Sequence, residues 1–140
     1  MILSRTKQYA LLALIDLASR PAAEYVLCRD IAGRINIPQA YLCKLMQSLA
    51  KAGLVESTRG RSGGYRLVRS AMQISVRQIM QVMDGGQEER ECLLGLKACG
   101  DDGACALHCE WQPVKEGLLQ MLDQETLGHL VEKAVGQARC

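Results

Sequence analysis

The sequence predicts a mainly α fold with one small β hairpin: a winged helix-turn-helix followed by a long helix near the C-terminus. Three observations predict it. Two short helix-periodic segments are joined by a tight turn at Asn36 and Ile37. Two β-rich runs, Leu54-Val-Glu-Ser and Tyr65-Arg-Leu-Val, flank the Gly-rich string Thr58-Arg-Gly-Arg-Ser-Gly-Gly64. A segment holding Cys92, Cys99 and Cys105 separates these elements from a helical stretch beginning near Trp111.

The first helix is expected over 6–19. Tyr9, Leu12, Ala13, Asp16 and Leu17 recur at helical spacing, and Pro21 follows the end. The second runs over 29–35, with Ile31, Ala32 and Ile35 facing inward. Pro38 suits the first turn of a third helix, which extends to about Ala52 and stops at Gly53. Ser75 is placed to cap a fourth helix ending near Asp84, with Val76, Ile79, Met80 and Met83 on one face. Gly85 and Gly86 end it. From Trp111 the pattern is helical again, with Pro113 in the first turn and Val114, Leu118, Leu119, Met121 and Leu122 as an apolar stripe. Thr126 opens a last short helix with Leu127, Leu130 and Val131.

These elements divide the chain into a winged helix-turn-helix domain (1–70, helix-turn-helix about 28–52, wing 54–68) and a linker helix (71–91). A cysteine loop (92–109), a long helix with a C-terminal helix (110–135) and a tail (136–140) follow. A chain of 140 residues that is 49% apolar is long enough for one folded domain with a small appendage. No apolar run approaches the length of a membrane span, and the N-terminus lacks signal-peptide character, so a cytoplasmic protein is expected. In a reducing compartment, seven cysteines point to metal or redox chemistry rather than a disulfide framework.

The net charge of +2 conceals an asymmetry. Residues 1–70 carry eleven Lys and Arg against four Asp and Glu; residues 71–140 carry six against eleven. A basic N-terminal half is the footprint of a phosphate-backbone binder, so double-stranded DNA is the expected partner. On the third helix, Leu42, Leu45, Met46, Leu49 and Ala52 fall on the core side. Ala40, Cys43, Lys44, Gln47 and Lys51 fall opposite, a small, polar and cationic face suited to a major groove. Gln47 suits adenine; Lys44 suits guanine or phosphate. Arg29, Gln39 and Tyr41 complete the candidate contacts on the helices. In the wing, Arg59 and Arg61 supply charge suited to a minor groove. Gly60, Gly63 and Gly64 let backbone approach a phosphate, and Ser62 and Tyr65 join the candidate surface.

Cysteine thiolates and histidine are ligands for iron–sulfur clusters, zinc or copper. Zinc sites favour short Cys-x2-4-Cys pairs, whereas six and five residues separate Cys92, Cys99 and Cys105. The wider spacing suits a loop wrapped around a cluster, with Gly95, Gly100 and Gly103 permitting close approach. His108 is the candidate fourth ligand and Cys109 the alternative. A thiol–disulfide switch or a zinc site is the competing reading of the same residues. Cys28, Cys43 and Cys140 read as bystanders. An electron carrier or cluster scaffold would not need the basic half, and neither a nucleotide-binding Gly loop nor a catalytic dyad is present, so an enzyme is not expected.

These motifs resemble the IscR/NsrR-type regulators, the Rrf-two type of winged-helix transcription factor. The matching residues are Tyr9-Ala-Leu, Ile37-Pro-Gln-Ala-Tyr-Leu42, the wing from Gly53 to Tyr65, Ile74-Ser-Val-Arg-Gln-Ile79 and the cysteine loop ending in Trp111. The resemblance spans residues 1 to about 134. It implies a homodimer built on the helix from about Trp111 to Asp123, with two reading heads on a palindromic operator. It also implies that the three cysteines hold a 2Fe–2S or 4Fe–4S iron–sulfur cluster, with His108 matching the histidine that completes the site in some relatives; the 2Fe–2S form is slightly favoured here. Some relatives use an acidic residue from the partner's first helix, but Gln8 stands at the comparable place here. The first cysteine gap is one longer than is common, Cys109 is additional, and Cys43 replaces an acidic or polar residue of the recognition face. The expected function is a DNA-binding repressor that responds to iron–sulfur status, nitric oxide or redox stress.

Overall fold

The computed structural model describes residues 3–85, 92–94 and 105–136. Six α-helices, a two-stranded hairpin and one 3₁₀ turn are found among them. Helix α1 (Arg5–Ala18) starts at Ser4, whose hydroxyl accepts from the Lys7 amide. Ala10, Ala13, Leu14 and Leu17 are its buried face. The sequence stripe was rotated from this: Leu12 is 46% exposed and Leu14 is fully buried. Lys7 is also buried, which no apolar pattern signals.

Helix α2 (Cys28–Ile35) ends at Asn36, whose left-handed backbone (φ 56°) forms the expected turn. Pro38 stands just before α3 (Gln39–Lys51) rather than inside it. Leu42, Leu45, Met46 and Leu49 are buried as the periodicity predicts, but Ala52 is exposed because the helix has already ended at Lys51. These side chains join Ile31, Ile37, Leu54, Val55, Ile74, Ile79 and Leu127 in one core.

The wing consists of β1 (Val55–Thr58) and β2 (Gly64–Leu67), antiparallel, with Glu56 opposite Arg66 and Ser57 opposite Tyr65. Val26 adds a third, single-residue rung: its N–H and C=O exchange 2.8 Å hydrogen bonds with Tyr65. That rung fixes the wing against the entry to α2. A 3₁₀ turn (Ala71–Gln73) leads into α4 (Val76–Asp84), which opens with a full capping box between Ser75 and Gln78 and closes at Gly85 (φ 66°).

Helix α5 (His108–Gln124) begins three residues before the position expected from sequence. Pro113 is therefore inside the helix, where it has no N–H to donate to the Cys109 carbonyl. Helix α6 (Leu127–Gly136) is tied back to α4 by a Ser75–Thr126 bridge, by Leu127 N–H to the Ile74 carbonyl and by Val76 N–H to the Glu125 carbonyl. Val76, Met80 and Leu122 form a second small core between α4 and α5, flanked by Leu3, Leu11, Leu118 and Leu130. No described helix is long and apolar enough to cross a membrane.

Candidate nucleic-acid interface and cysteine site

Helices α2 and α3 and the wing converge on one side of the domain. Arg29, Gln39, Ala40, Tyr41, Lys44, Gln47 and Lys51 are exposed on the helices, and Arg59, Arg61 and Ser62 are exposed in the wing turn. An open cleft between the α2 and α3 entries and the wing is lined by Leu27, Cys28, Arg29, Gln39, Gly60 and Arg61.

Several basic residues are paired with carboxylates: Lys7 with Asp84, Arg20 and Arg34 with Asp16, Arg66 with Glu56 and, on this side, Arg29 with Asp30 at 3.8 Å. Arg34 grips Asp16 through two bonds of 2.8 and 2.7 Å, which brace α2 on α1. That grip holds the Arg34 guanidinium charged, raising its pKa chiefly through the hydrogen bond to Asp16. Lys44, Lys51, Arg59 and Arg61 have no carboxylate partner among the described residues. A set of exposed, unneutralised cations on the helix-turn-helix and wing is what a phosphate backbone requires.

Several sequence-predicted contacts have a structural duty instead of, or besides, an exposed one. Tyr41 hydrogen-bonds Thr6 at 2.7 Å and meets the Tyr9 ring edge-on at 5.7 Å, so it pins α3 to α1. Gly63 and Gly64 are buried, not presented at the surface. A Cβ on Gly64 would lie 2.3 Å from the Val26 carbonyl oxygen, so the residue is glycine for the wing's contact with Val26. Tyr65 is half-buried beside that rung. Cys43 is half-buried too: it turns from the outer face toward α2, and its Sγ lies 2.7 Å from Cys28 Sγ. The sequence treated these two cysteines as unrelated bystanders, because nothing in helical periodicity relates position 28 to position 43 across a turn.

Of the sequence-predicted cluster ligands, Cys92 and Cys105 are buried at 5% and 8% exposure. His108 and Cys109 occupy the first turn of α5, His108 half-buried and Cys109 exposed. The Cys105 carbonyl accepts from the His108 amide, which ties the third cysteine to the helix start. Cys99 lies outside the described residues. Among those residues, no three His, Cys, Asp or Glu side chains gather at metal-binding distance. Trp111 Nε1, one turn into α5, is a buried donor with no acceptor among the described residues. Gln8 donates to the Leu3 carbonyl at 3.2 Å.

Residues 3–133 match the family model Rrf2, described as an iron-dependent transcriptional regulator. The chain belongs to the Rrf2 family. It is 34% identical over 131 residues to the HTH-type transcriptional regulator IscR of Escherichia coli, across 94% of this chain and 80% of that protein. Among solved structures, CymR, the global cysteine regulator of B. subtilis, superposes with a TM-score of 0.78 at 29% identity, over 92% of this chain and 95% of its own. T. potens IscR superposes with a TM-score of 0.76 at 29% identity, over 98% and 90%. The winged-helix fold and the family resemblance are thereby established. The Rrf2 chain described here is a DNA-binding regulator of transcription, as its relatives are, and not an enzyme.

Proposed function

We propose that this Rrf2 regulator acts as a homodimeric repressor whose operator affinity is set by an iron–sulfur cluster on Cys92, Cys99, Cys105 and His108. The observation that carries the reading is the burial of Cys92 and Cys105 at either side of residues 95–104, with His108 at the start of α5. Two buried thiols and an imidazole are a donor set for a soft metal centre, and the Trp111 indole N–H is a buried donor with no acceptor among the described residues. The likeness to IscR supports the same reading. A 2Fe–2S cluster is preferred to a 4Fe–4S one, and Cys109, exposed beside His108, is the alternative fourth ligand.

When bound, the cluster would supply sensitivity to iron–sulfur status, nitric oxide or oxidants through its assembly and loss. The protein's own residues supply the rest. Lys44 and Lys51 on α3, with Arg59 and Arg61 in the wing, hold the DNA backbone, and Gln47 reads base edges. Dimerisation rests on α5, where Val114 and Met121, seven residues apart, are 59% and 49% exposed, with Leu107 just before the helix 39% exposed. Two heads joined there address half-sites about one helical turn apart, roughly 34 Å.

The test is anaerobic purification followed by the visible spectrum with iron and sulfide per chain. A coloured protein with iron and sulfide in equal amounts supports the cluster, and the ratio per chain separates the two-iron from the four-iron form. A colourless protein that also resists reconstitution refutes it and moves the reading to a thiol switch or zinc site on the same DNA-binding fold.

A further inference from the structure

We propose that Cys28 and Cys43 form a reversible intrachain disulfide that clamps α2 to α3 and weakens DNA binding when a peroxide oxidises the protein. The proposal rests on the DNA-binding reading above but concerns cysteines outside the cluster loop.

The geometry carries it. Cys28 is the first residue of α2 and Cys43 is in the second turn of α3, so the pair spans the helix-turn-helix. Their sulfurs are 2.7 Å apart, and closing to the disulfide length of about 2.05 Å takes roughly a further 0.7 Å. Both side chains are half-buried, and Cys28 also lines the open cleft with Arg29, Gln39 and Arg61, which gives a small oxidant a route in. Tyr65 of β2 stands close enough that burial and the two thiols together push its phenol pKa up. The pair thus sits where α2, α3 and the wing meet, the three elements offered to DNA.

The chemistry balances with hydrogen peroxide as oxidant. Burial and the neighbouring Cys43 thiol push the Cys28 pKa up to about 12, so Cys28 stays protonated and Cys43 is the attacking group. The Cys43 thiolate attacks one peroxide oxygen; the O–O bond breaks, Cys43 becomes a sulfenic acid, and hydroxide leaves to take up the thiol's proton as water. Cys28 sulfur then attacks Cys43 sulfur. The S–S bond forms, the S–OH bond breaks, and hydroxide departs with the Cys28 proton as a second water. Two thiols have lost two electrons to one peroxide.

The bridge acts on recognition because Cys43 lies between Ala40, Lys44 and Gln47 on α3. Drawing its sulfur onto α2 turns that face, and Arg29 moves with the α2 entry.

The test treats the reduced, full-length protein with a few equivalents of hydrogen peroxide, caps remaining thiols with N-ethylmaleimide and digests with trypsin without reductant. The expected product joins the peptides ending at Arg29 and Lys44 through a bond that dithiothreitol cleaves. In parallel, binding to a fluorescent duplex from the chain's own upstream region should fall about fivefold or more on oxidation and recover with dithiothreitol. Cys28→Ser should lose the thiol-reversible response, its affinity for the duplex being the same before and after peroxide. Absence of the linked peptide overturns the proposal. So does a loss of binding that persists in Cys28→Ser, which assigns sensing to other cysteines, or a bridge that leaves binding unchanged. Failure of the reduced protein to bind any duplex overturns the DNA-binding reading instead, and the peptide map still decides whether the dithiol bridges.

Discussion

Lys7, in the first turn of α1, is ion-paired with Asp84, the last residue of α4; Lys7 is buried at 4% side-chain exposure and Asp84 mostly covered at 18%. The pair spans 77 positions of sequence and joins the DNA-reading half to the residue from which the chain departs toward Cys92. Helix α1 in turn holds α2 through Asp16 and Arg34 and holds α3 through Tyr9 and Tyr41. A continuous set of polar and aromatic contacts therefore runs from the C-terminal end of α4 to the reading helices.

Breaking this pair should be costly, because removing one charge leaves the other buried beside a lost partner. Lys7→Ala and Asp84→Ala should each lower unfolding stability by about 3 kcal/mol, the lower end for a buried pair because Asp84 is partly open to water. Lys7→Met combined with Asp84→Leu should cost much less than the sum of the single changes. Urea unfolding at fixed protein concentration measures this; additive costs would deny the coupling.

The wing offers an internal control for backbone strain. Gly60 and Gly64 both have positive φ, 105° and 132°, but only Gly64 is crowded. Gly60→Ala should cost about 1 kcal/mol, whereas Gly64→Ala should cost about 3 kcal/mol or more as the added carbon drives Val26 away. Thermal unfolding of the two variants would show the order, and equal losses would remove Val26 from the explanation.

The sequence made the helix-turn-helix, the wing and the capping of α4 legible because local signals control them: periodicity, Asn36, the glycine-rich turn and Ser75. What stayed hidden depends on long-range packing. Leu14 rather than Leu12 faces the core because α1 is covered on several sides, so its apolar stripe has no single direction. Lys7 carries no local signal of burial, because its partner Asp84 lies 77 positions away. Gly64 reads as a phosphate-facing glycine until Val26 is found against its backbone. Cys28 and Cys43 lie on different helices, and only the angle between those helices brings their sulfurs together. Among the candidate cluster ligands, the sequence named Cys92 and Cys105, and their burial is new information; residue type alone does not say whether a thiol is covered.

Arg59 and Arg61 should contribute to DNA affinity as phosphate contacts rather than as base readers. Arg59→Ala and Arg61→Ala should each weaken binding to specific and unrelated duplexes alike. Each should also make the slope of log K against log salt shallower by about 0.9. A titration series around 0.15 M salt checks both points; unchanged affinity and slope would take that arginine out of the interface.

Cys28 should be a slow thiol in the folded protein. With its pKa raised from 9.0 to about 12 by burial and by Cys43, far less of it is thiolate at pH 8 than in an unfolded chain. Because folding favours the neutral thiol, this contribution to stability is intact below about pH 9 and is lost as pH climbs toward 12. Maleimide labelling at pH 8, followed by peptide mass, should find Cys28 protected until urea unfolds the domain. Rapid labelling of the folded protein would contradict the raised pKa.

The most direct test of the account is the operator affinity of the cluster-loaded protein against that of a Cys92→Ala, Cys99→Ala, Cys105→Ala variant, both measured anaerobically at one salt concentration. A coupling of about 1–3 kcal/mol between cluster and reading heads predicts a 5- to 150-fold difference. Identical affinities, with both proteins folded and the first carrying its full iron and sulfide, would contradict control of DNA binding by the cluster.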